Sequence, residues 1–149
     1  MKLEMTLRIP FYSTENREKI ETALVNLFGE IPELIEQKEE NLSFLTSNKL
    51  EINSLRIFFN YIRRNEIIDT VRKCTLIYPS EGNIIFNFHK QALMVEKIVV
   101  ITPDTSSPLG SVELTIHTQN IEKFLNWLVP KTHEGKILKP KKFNDIFNL

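Results

Sequence analysis

The sequence predicts an α+β fold in which a mostly antiparallel sheet carries helices packed on one of its faces. Segments of alternating apolar and polar residues, typical of half-buried strands, are interspersed with segments whose apolar residues recur at helical spacing. Short turn-like stretches join neighbouring strands, which favours antiparallel pairing. The chain holds 18 isoleucines and only two alanines, and β-branched residues favour strands over helices. The predicted order is strand, helix, two strands, one or two helices, three strands and a helix.

The first elements are a strand and a helix. Residues 2–9 alternate strictly between apolar and polar side chains, and we expect Pro10 to end this strand because proline has no backbone N–H to donate. Ser13 or Thr14 is positioned to cap a helix that ends at Gly29. The apolar side of this helix consists of Ile20, Leu24, Leu27 and Phe28.

The middle of the chain predicts two short strands followed by helix. The strands are centred on residues 34–35 and 42–45, around a charged turn at 38–41. Residues 50–78 have helical spacing, either as one long helix or as two that join at the polar step 63–66. The two apolar stripes are Leu55, Phe58, Phe59 and Ile62, and then Ile67, Val71, Cys74 and Tyr78.

Three strands and a last helix complete the predicted fold. Alternation predicts strands at 84–89 and 112–117, and the β-branched run 98–101 predicts a buried strand between them. A turn-rich loop covers residues 103–110. Asn120 is positioned to cap the last helix, which Pro130 ends.

Length and composition predict a single domain, residues 1–135, followed by a basic and apolar tail, residues 136–149. The formal net charge is zero, with 19 basic and 19 acidic residues. No apolar run approaches the roughly 18–20 residues of a membrane-spanning helix. No basic-then-apolar leader follows Met1, and the single cysteine forms no internal disulfide, so we expect a cytoplasmic protein.

The residues that usually carry chemistry are scattered. The four glycines stand at element boundaries and build no phosphate-binding loop. The three histidines are far apart in sequence, whereas a metal site needs three or four convergent ligands. Cys74 lies on an apolar stripe and is interpreted as a buried core residue. We therefore expect no cofactor, no metal, no small-molecule substrate and no enzymatic activity.

Basic residues of the central helical region are the remaining candidates for a site. Guanidinium groups suit phosphate because they present fixed, paired donors. Intramolecular pairing is an open alternative, since Asp69 can pair with Lys73 and Glu66 with Arg63. Lys90 and Gln91 follow a strand end, where they can reach a ligand or form an edge-protecting turn.

Five segments resemble, in the same order, motifs of one family. They are Ser13-Thr14-Glu15, the helical segment Ile62 to Arg72, the segment Phe86 to Ala92 around Lys90-Gln91, the turn Ser107-Pro108-Leu109-Gly110 and the ending Asn126-Trp127-Leu128-Val129-Pro130. Over about residues 2–135 the chain is similar to an uncharacterised archaeal family of predicted RNA-binding proteins, related in fold to the ribosomal protein that binds 5S rRNA. Three positions depart from the family pattern: Glu66 replaces a basic residue, His89 an asparagine and Glu96 a glycine.

The resemblance implies a non-enzymatic protein that binds structured RNA through phosphate contacts from its basic helical face. The candidate RNA-binding residues are Arg56, Arg63, Arg64, Arg72, Lys73, Lys90 and Gln91. The alternative is a homodimeric protein-interaction module without nucleic-acid binding. We expect a homodimer because free strand edges invite symmetric pairing. Arginines that converge with Lys90 on an open face would favour RNA, and arginines paired with acidic residues would favour the alternative.

Overall fold

A seven-stranded antiparallel sheet forms the centre of the molecule, seen in a computed structural model that describes residues 2–105 and 108–149. Met1 of the predicted domain and Ser107 of the fourth motif therefore lie outside the described residues. The strands run in the order β2-β3-β1-β7-β5-β4, and β6 also pairs with β5. Their bounds are β1 Glu4–Tyr12, β2 Ile35–Lys38, β3 Leu42–Ser47, β4 Leu76–Tyr78, β5 Asn83–His89, β6 Val100–Ile101 and β7 Ser111–His117.

The helices cover one face of this sheet, which confirms the predicted α+β class. Along β1, Met5 and Leu7 are buried towards the helices, whereas Glu4 and Thr6 on the opposite face are exposed. None of the helices in the described ranges is long and apolar enough to cross a membrane. The helices are α1 Arg17–Phe28, α2 Arg56–Arg64, α3 Ile68–Cys74, α4 Lys90–Met94 and α5 Ile121–Leu128, with 3-10 turns at Ile52–Leu55 and Phe143–Asn148.

Aromatic side chains fill the space between the sheet and the helices. Phe58 of α2 meets Phe86 and Phe88 of β5 edge-on, at ring-centroid distances of 5.4 and 5.0 Å. Trp127 of α5 is fully buried and stacks on Phe59, 5.0 Å away. Burial of each such side chain contributes about 1.5–3 kcal/mol, so this aromatic layer fixes the positions of α2 and α5 on the sheet.

Two predicted boundaries at the start of the chain are wrong. The strand β1 continues through Pro10 to Tyr12, because pairing with β3 persists there after pairing with β7 has ended at Arg8. The cap of α1 is Asn16, whose side-chain oxygen accepts from the Glu18 N–H at 2.8 Å, and not Ser13 or Thr14. At α5, Asn120 stands at the cap position, but its side chain makes no cap bond.

The predicted helix 50–78 is two short helices followed by a strand. α2 is followed by a left-handed residue, Glu66 at φ 53°, and the Ile67 N–H donates to the Ile62 carbonyl at 3.0 Å. This is the Schellman arrangement, in which glycine is usual at the left-handed position. Residues 76–78 form β4, so Tyr78 is exposed and not part of a helical stripe. The prediction of a buried Cys74 is also wrong, because Cys74 is only partly buried against the core.

After α5, a hairpin of β8 Thr132–His133 and β9 Lys136–Ile137 leads to the last 3-10 turn. Its two-residue loop places Glu134 at φ 52° and Gly135 at φ 79°, the paired left-handed conformations of a type I′ turn. The predicted boundary between residues 135 and 136 falls at this turn. The division into domain and tail stays a prediction.

Candidate nucleic-acid interface

Lys90 is enclosed in the fold. Its side chain is 0% exposed, and its ammonium donates to the Leu109 carbonyl at 2.7 Å, to both carboxylate oxygens of Glu15 at 3.0 and 3.2 Å, and to the Pro10 carbonyl. Burial lowers the pKa of Lys90, and the hydrogen bond and charge of Glu15 act in the opposite direction. Because oxygen atoms of the protein surround the ammonium, no ligand has access to it.

This ion pair joins three of the five motifs. Glu15 ends the first motif, Lys90 lies in the third, and Leu109 precedes the glycine of the fourth. Gly110 approaches β1 so closely that a Cβ there would lie 2.5 Å from Cγ of Pro10, and its φ of 77° also favours glycine. The three motifs therefore fasten the end of β1, the start of α1 and the loop before β7 to one another.

The other two motifs meet at the C-terminus of α5. Arg63 donates to the Trp127 carbonyl at 2.7 Å and to the Leu128 carbonyl at 3.1 Å, and Arg72 donates to the Val129 carbonyl at 2.7 Å. The last carbonyls of a helix have no partner within the helix and carry partial negative charge. Two arginines from α2 and α3 therefore cap α5, and they hold the three helices together.

Arg63 keeps its charge in this position. Its guanidinium stacks on the ring of Phe59 at 3.4 Å and also donates to the Phe59 carbonyl at 3.1 Å. Burial lowers the pKa of Arg63 to about 10. The group is therefore cationic at neutral pH, but its donors are directed to main-chain oxygens.

The three departures from the family pattern also have structural roles. His89 caps α4, since its Nδ1 accepts from the Ala92 N–H at 3.1 Å, a bond that an asparagine side chain can equally make. Glu96 follows the C-terminus of α4 with φ 61°, and the Lys97 N–H is bonded to the Ala92 carbonyl at 2.9 Å. The family's glycine at this position thus matches the left-handed backbone. Of the two added glutamates, Glu66 lies between α2 and α3, and Glu96 follows α4.

Three of the candidate residues are exposed on α2 and α3. Arg64 and Lys73 are open to solvent, and exposed Arg56 reaches the side-chain oxygens of Asn53 at 3.2 Å and Asn144 at 3.4 Å. Gln91 is exposed too, but it lies beside Lys90 on α4, which packs against α1. The five basic residues therefore lie on two helices that contact each other, α2 and α3, whereas Lys90 and Gln91 lie on α4.

Neither of the two alternative ion pairs, Asp69 with Lys73 and Glu66 with Arg63, is present. Within residues 2–105 and 108–149, no carboxylate lies within 4.0 Å of a basic side chain of α2 or α3. Asp69 instead accepts a 2.6 Å hydrogen bond from the Thr132 hydroxyl. Within the same described ranges, no group of three His, Cys, Asp or Glu residues is arranged to hold a metal ion.

Charge is unevenly distributed over the molecule. Residues 56–73, which we call the basic helical face, carry five basic and two acidic residues. Residues 15–51, from the start of α1 to the end of the β2–β3 region, carry four basic and nine acidic residues. Two of those basic residues pair with nearby acids, Arg17 with Glu36 at 3.5 Å and Lys49 with Glu33 at 3.0 Å. A neutral chain thus presents a positive α2–α3 face and a negative α1–β3 region.

Most of the chain is similar to known proteins. Residues 4–118 match a family model described as RNA binding. The chain is 34% identical over 139 residues to a UPF0201 protein of Pyrobaculum islandicum, an alignment that covers 92% of this chain and 94% of that relative. It is 33% identical over 123 residues to a UPF0201 protein of Saccharolobus solfataricus, covering 82% of this chain and 83% of the relative. The chain belongs to the archaeal UPF0201 family.

A solved structure has the same fold. The crystal structure of a UPF0201 protein from Methanococcus jannaschii superposes with a TM-score of 0.69 at 19% sequence identity, covering 91% of this chain and 99% of the other. This likeness agrees with the α+β architecture described above.

Proposed function

We propose that this protein binds folded RNA without catalysing a reaction, and that the basic helical face contacts RNA phosphates. The observation that carries the proposal is the set of five cationic side chains on α2 and α3 with no carboxylate partner among the described residues. The family model described as RNA binding supports the same class of ligand. Phosphate groups are the complementary charge, and contacts to them account for most sequence-independent RNA affinity.

The basic residues have different roles in this proposal. Arg64 and Lys73 extend into solvent and provide direct phosphate contacts, and Arg56 at the start of α2 is also exposed. Arg63 and Arg72 contribute positive charge while their donors cap α5. We leave Lys90 and Gln91 out of the interface, because Lys90 is enclosed and Gln91 lies beside it on α4.

The test reverses charge on the basic helical face and compares it with an equal change elsewhere. The double variant Arg64→Glu/Lys73→Glu changes only exposed side chains, so we expect it to fold normally and to bind RNA at least about tenfold more weakly. The matched control is Lys19→Glu/Lys38→Glu, which makes the same charge change in the acidic region. We expect the control to bind within about twofold of the wild type. Equal losses in both variants, or none in either, would contradict the proposed interface.

The choice of RNA follows from the resemblance to the family. A relation of its fold to the ribosomal protein that binds 5S rRNA is part of this proposal, so a 5S rRNA transcript is the first probe. A short RNA duplex and single-stranded poly(U) are the comparison probes. Tighter binding of the transcript than of poly(U) at equal salt would support recognition of folded RNA, and the reverse order would contradict it.

A free sheet edge favours a second function, assembly into a homodimer. Among residues 2–105 and 108–149, β2 pairs only with β3. Ile35 in this strand and Ile31 before it are 60% and 48% exposed. Exposed apolar edges are templates for pairing with another strand. Under this hypothesis light scattering of the wild type gives a dimer mass, and Ile35→Lys gives a monomer. A monomeric wild type at micromolar concentration would contradict it.

A further inference from the structure

The C-terminal segment after α5, residues 131–149, is as basic as the helical face. It carries five lysines and two acidic residues. It lies beyond residue 118, where the match to the RNA-binding family model ends. The lysines are Lys131, Lys136, Lys139, Lys141 and Lys142.

This segment is fixed on the domain and not a loose arm. Phe143 is 6% exposed and Ile146 is fully buried. The Phe143 ring meets Phe59 edge-on, with centroids 5.5 Å apart, and its carbonyl accepts from the Trp127 indole N–H at 3.0 Å. These contacts secure the last 3-10 turn against α2 and α5.

Two further contacts attach the segment to the basic helical face itself. The Thr132 hydroxyl at the start of the hairpin donates to Asp69 of α3 at 2.6 Å. At the other end, the Arg56 guanidinium of α2 lies 4.2 Å from the centre of the Phe143 ring and reaches the Asn144 side chain. The segment therefore contacts α3 at Asp69 and α2 at Arg56, so it lies against both helices of the basic helical face.

The lysines of the segment are available to a ligand. Four of the five are exposed, and Lys141 is partly buried. No carboxylate of residues 2–105 or 108–149 lies within 4.0 Å of any of their ammonium nitrogens. The Asp145 carboxylate accepts from the main-chain N–H of Lys142 at 2.7 Å, not from its side chain. Together, residues 56–73 and 131–149 carry ten of the chain's 19 basic residues and four of its 19 acidic residues, a net charge of +6. The rest of the chain balances this with −6.

We infer that the docked segment 131–149 and the basic helical face form one continuous phosphate-binding surface for folded RNA. This inference rests on the proposed function and adds a second set of contacts from outside the family-model match. Because the segment is already ordered in the free protein, its lysines bind without the entropic cost of fixing a disordered arm. The proposed surface spans two helices and a hairpin. A folded RNA suits such a surface because it presents phosphates over a broad area.

The test measures the salt dependence of binding to the 5S rRNA transcript with the full chain. The variant Lys131→Ala/Lys136→Ala/Lys139→Ala removes three exposed charges and leaves the Phe143 and Ile146 anchors intact. Each lost phosphate contact reduces the slope of log affinity against log salt by about 0.7–0.9. We therefore expect the slope to fall in magnitude by about two and the affinity at moderate salt to fall about tenfold. The melting temperature should stay unchanged.

The matched control removes three exposed lysines from the rest of the molecule, Lys19, Lys38 and Lys97, and should leave the slope unchanged. If the wild type binds none of the RNA probes, the proposed function fails and this inference fails with it. If Arg64→Glu/Lys73→Glu weakens binding but the triple alanine variant keeps the wild-type slope, this inference alone is overturned. Displacement of the RNA by poly-glutamate at equal ionic strength and equal charge would also overturn it, because the surface would then suit an acidic protein partner.

Discussion

Replacement of Lys90 by methionine should destabilise the fold severely, although Lys90 contacts no ligand in the proposed mechanism. The change removes the cation and leaves the Glu15 carboxylate, 4% exposed, without a counter-charge. It also leaves the Leu109 and Pro10 carbonyls without their donor. Removal of one partner of a buried ion pair costs about 3–5 kcal/mol. For a chain of this size, each kcal/mol lowers the melting temperature by about 2–4 °C.

A double-mutant cycle separates the ion pair from the packing around it. Glu15→Gln keeps an oxygen to accept the Tyr12 N–H bond of 3.1 Å and removes the charge. Lys90→Met/Glu15→Gln buries no unpaired charge, so it should cost about 1–3 kcal/mol less than the sum of the single changes. Lys97→Met, at an exposed lysine near α4, serves as the control and should change stability by less than about 0.5 kcal/mol.

Urea denaturation gives the free energies of unfolding for the four members of the cycle, with the slope m as a check on two-state behaviour. If Lys90→Met does not fold, Glu15→Gln alone still reports on the pair. A loss below about 1 kcal/mol for Lys90→Met, or strict additivity in the double variant, would refute the structural role of the three motifs that this ion pair joins.

Two further predictions concern the helix ends. Arg63→Lys should lower the free energy of unfolding by about 1–3 kcal/mol, because a lysine cannot donate to the Trp127 and Leu128 carbonyls at the same time in the same geometry. An unchanged urea denaturation curve would contradict the capping of α5. Glu96→Gly should raise the free energy of unfolding by about 0.5–1 kcal/mol, because it relieves a left-handed backbone at φ 61°, and a lower melting temperature would contradict that reasoning.

The sheet and its helices were predictable because one face of each element is buried. β1, β5 and β7 alternate since every second side chain meets the helices, and the apolar side of α1 reaches the core with no exception among its four predicted residues. Local choices were harder. A helix cap suits any of three residues here, Ser13, Thr14 or Asn16. The cap is Asn16, and the residue before it, Glu15, is bound to Lys90.

The roles of the basic residues were not predictable from local sequence. Lys90 and Glu15 are 75 residues apart, and Arg63 and Trp127 are 64 apart, so no spacing rule relates them. A lysine after a strand has the same local pattern whether it is exposed or enclosed. Family motifs at these positions indicated that the residues mattered, but the three-dimensional contacts show that they hold the fold together. The basic composition of the C-terminal segment was visible in the sequence. Its position beside α2 was not, because that position follows from the packing of Phe143.

Photochemical cross-linking of the full chain to the 5S rRNA transcript, with the modified peptides located by mass spectrometry, tests the central claim most directly. We predict cross-links within residues 56–73 and 131–149, and their loss at high salt, because phosphate contacts weaken as counterions compete. We predict none within the acidic residues 15–51. Cross-links concentrated in that acidic region, or on the open face of the sheet around Arg8 and Phe44, would contradict the assignment of the basic surface to RNA.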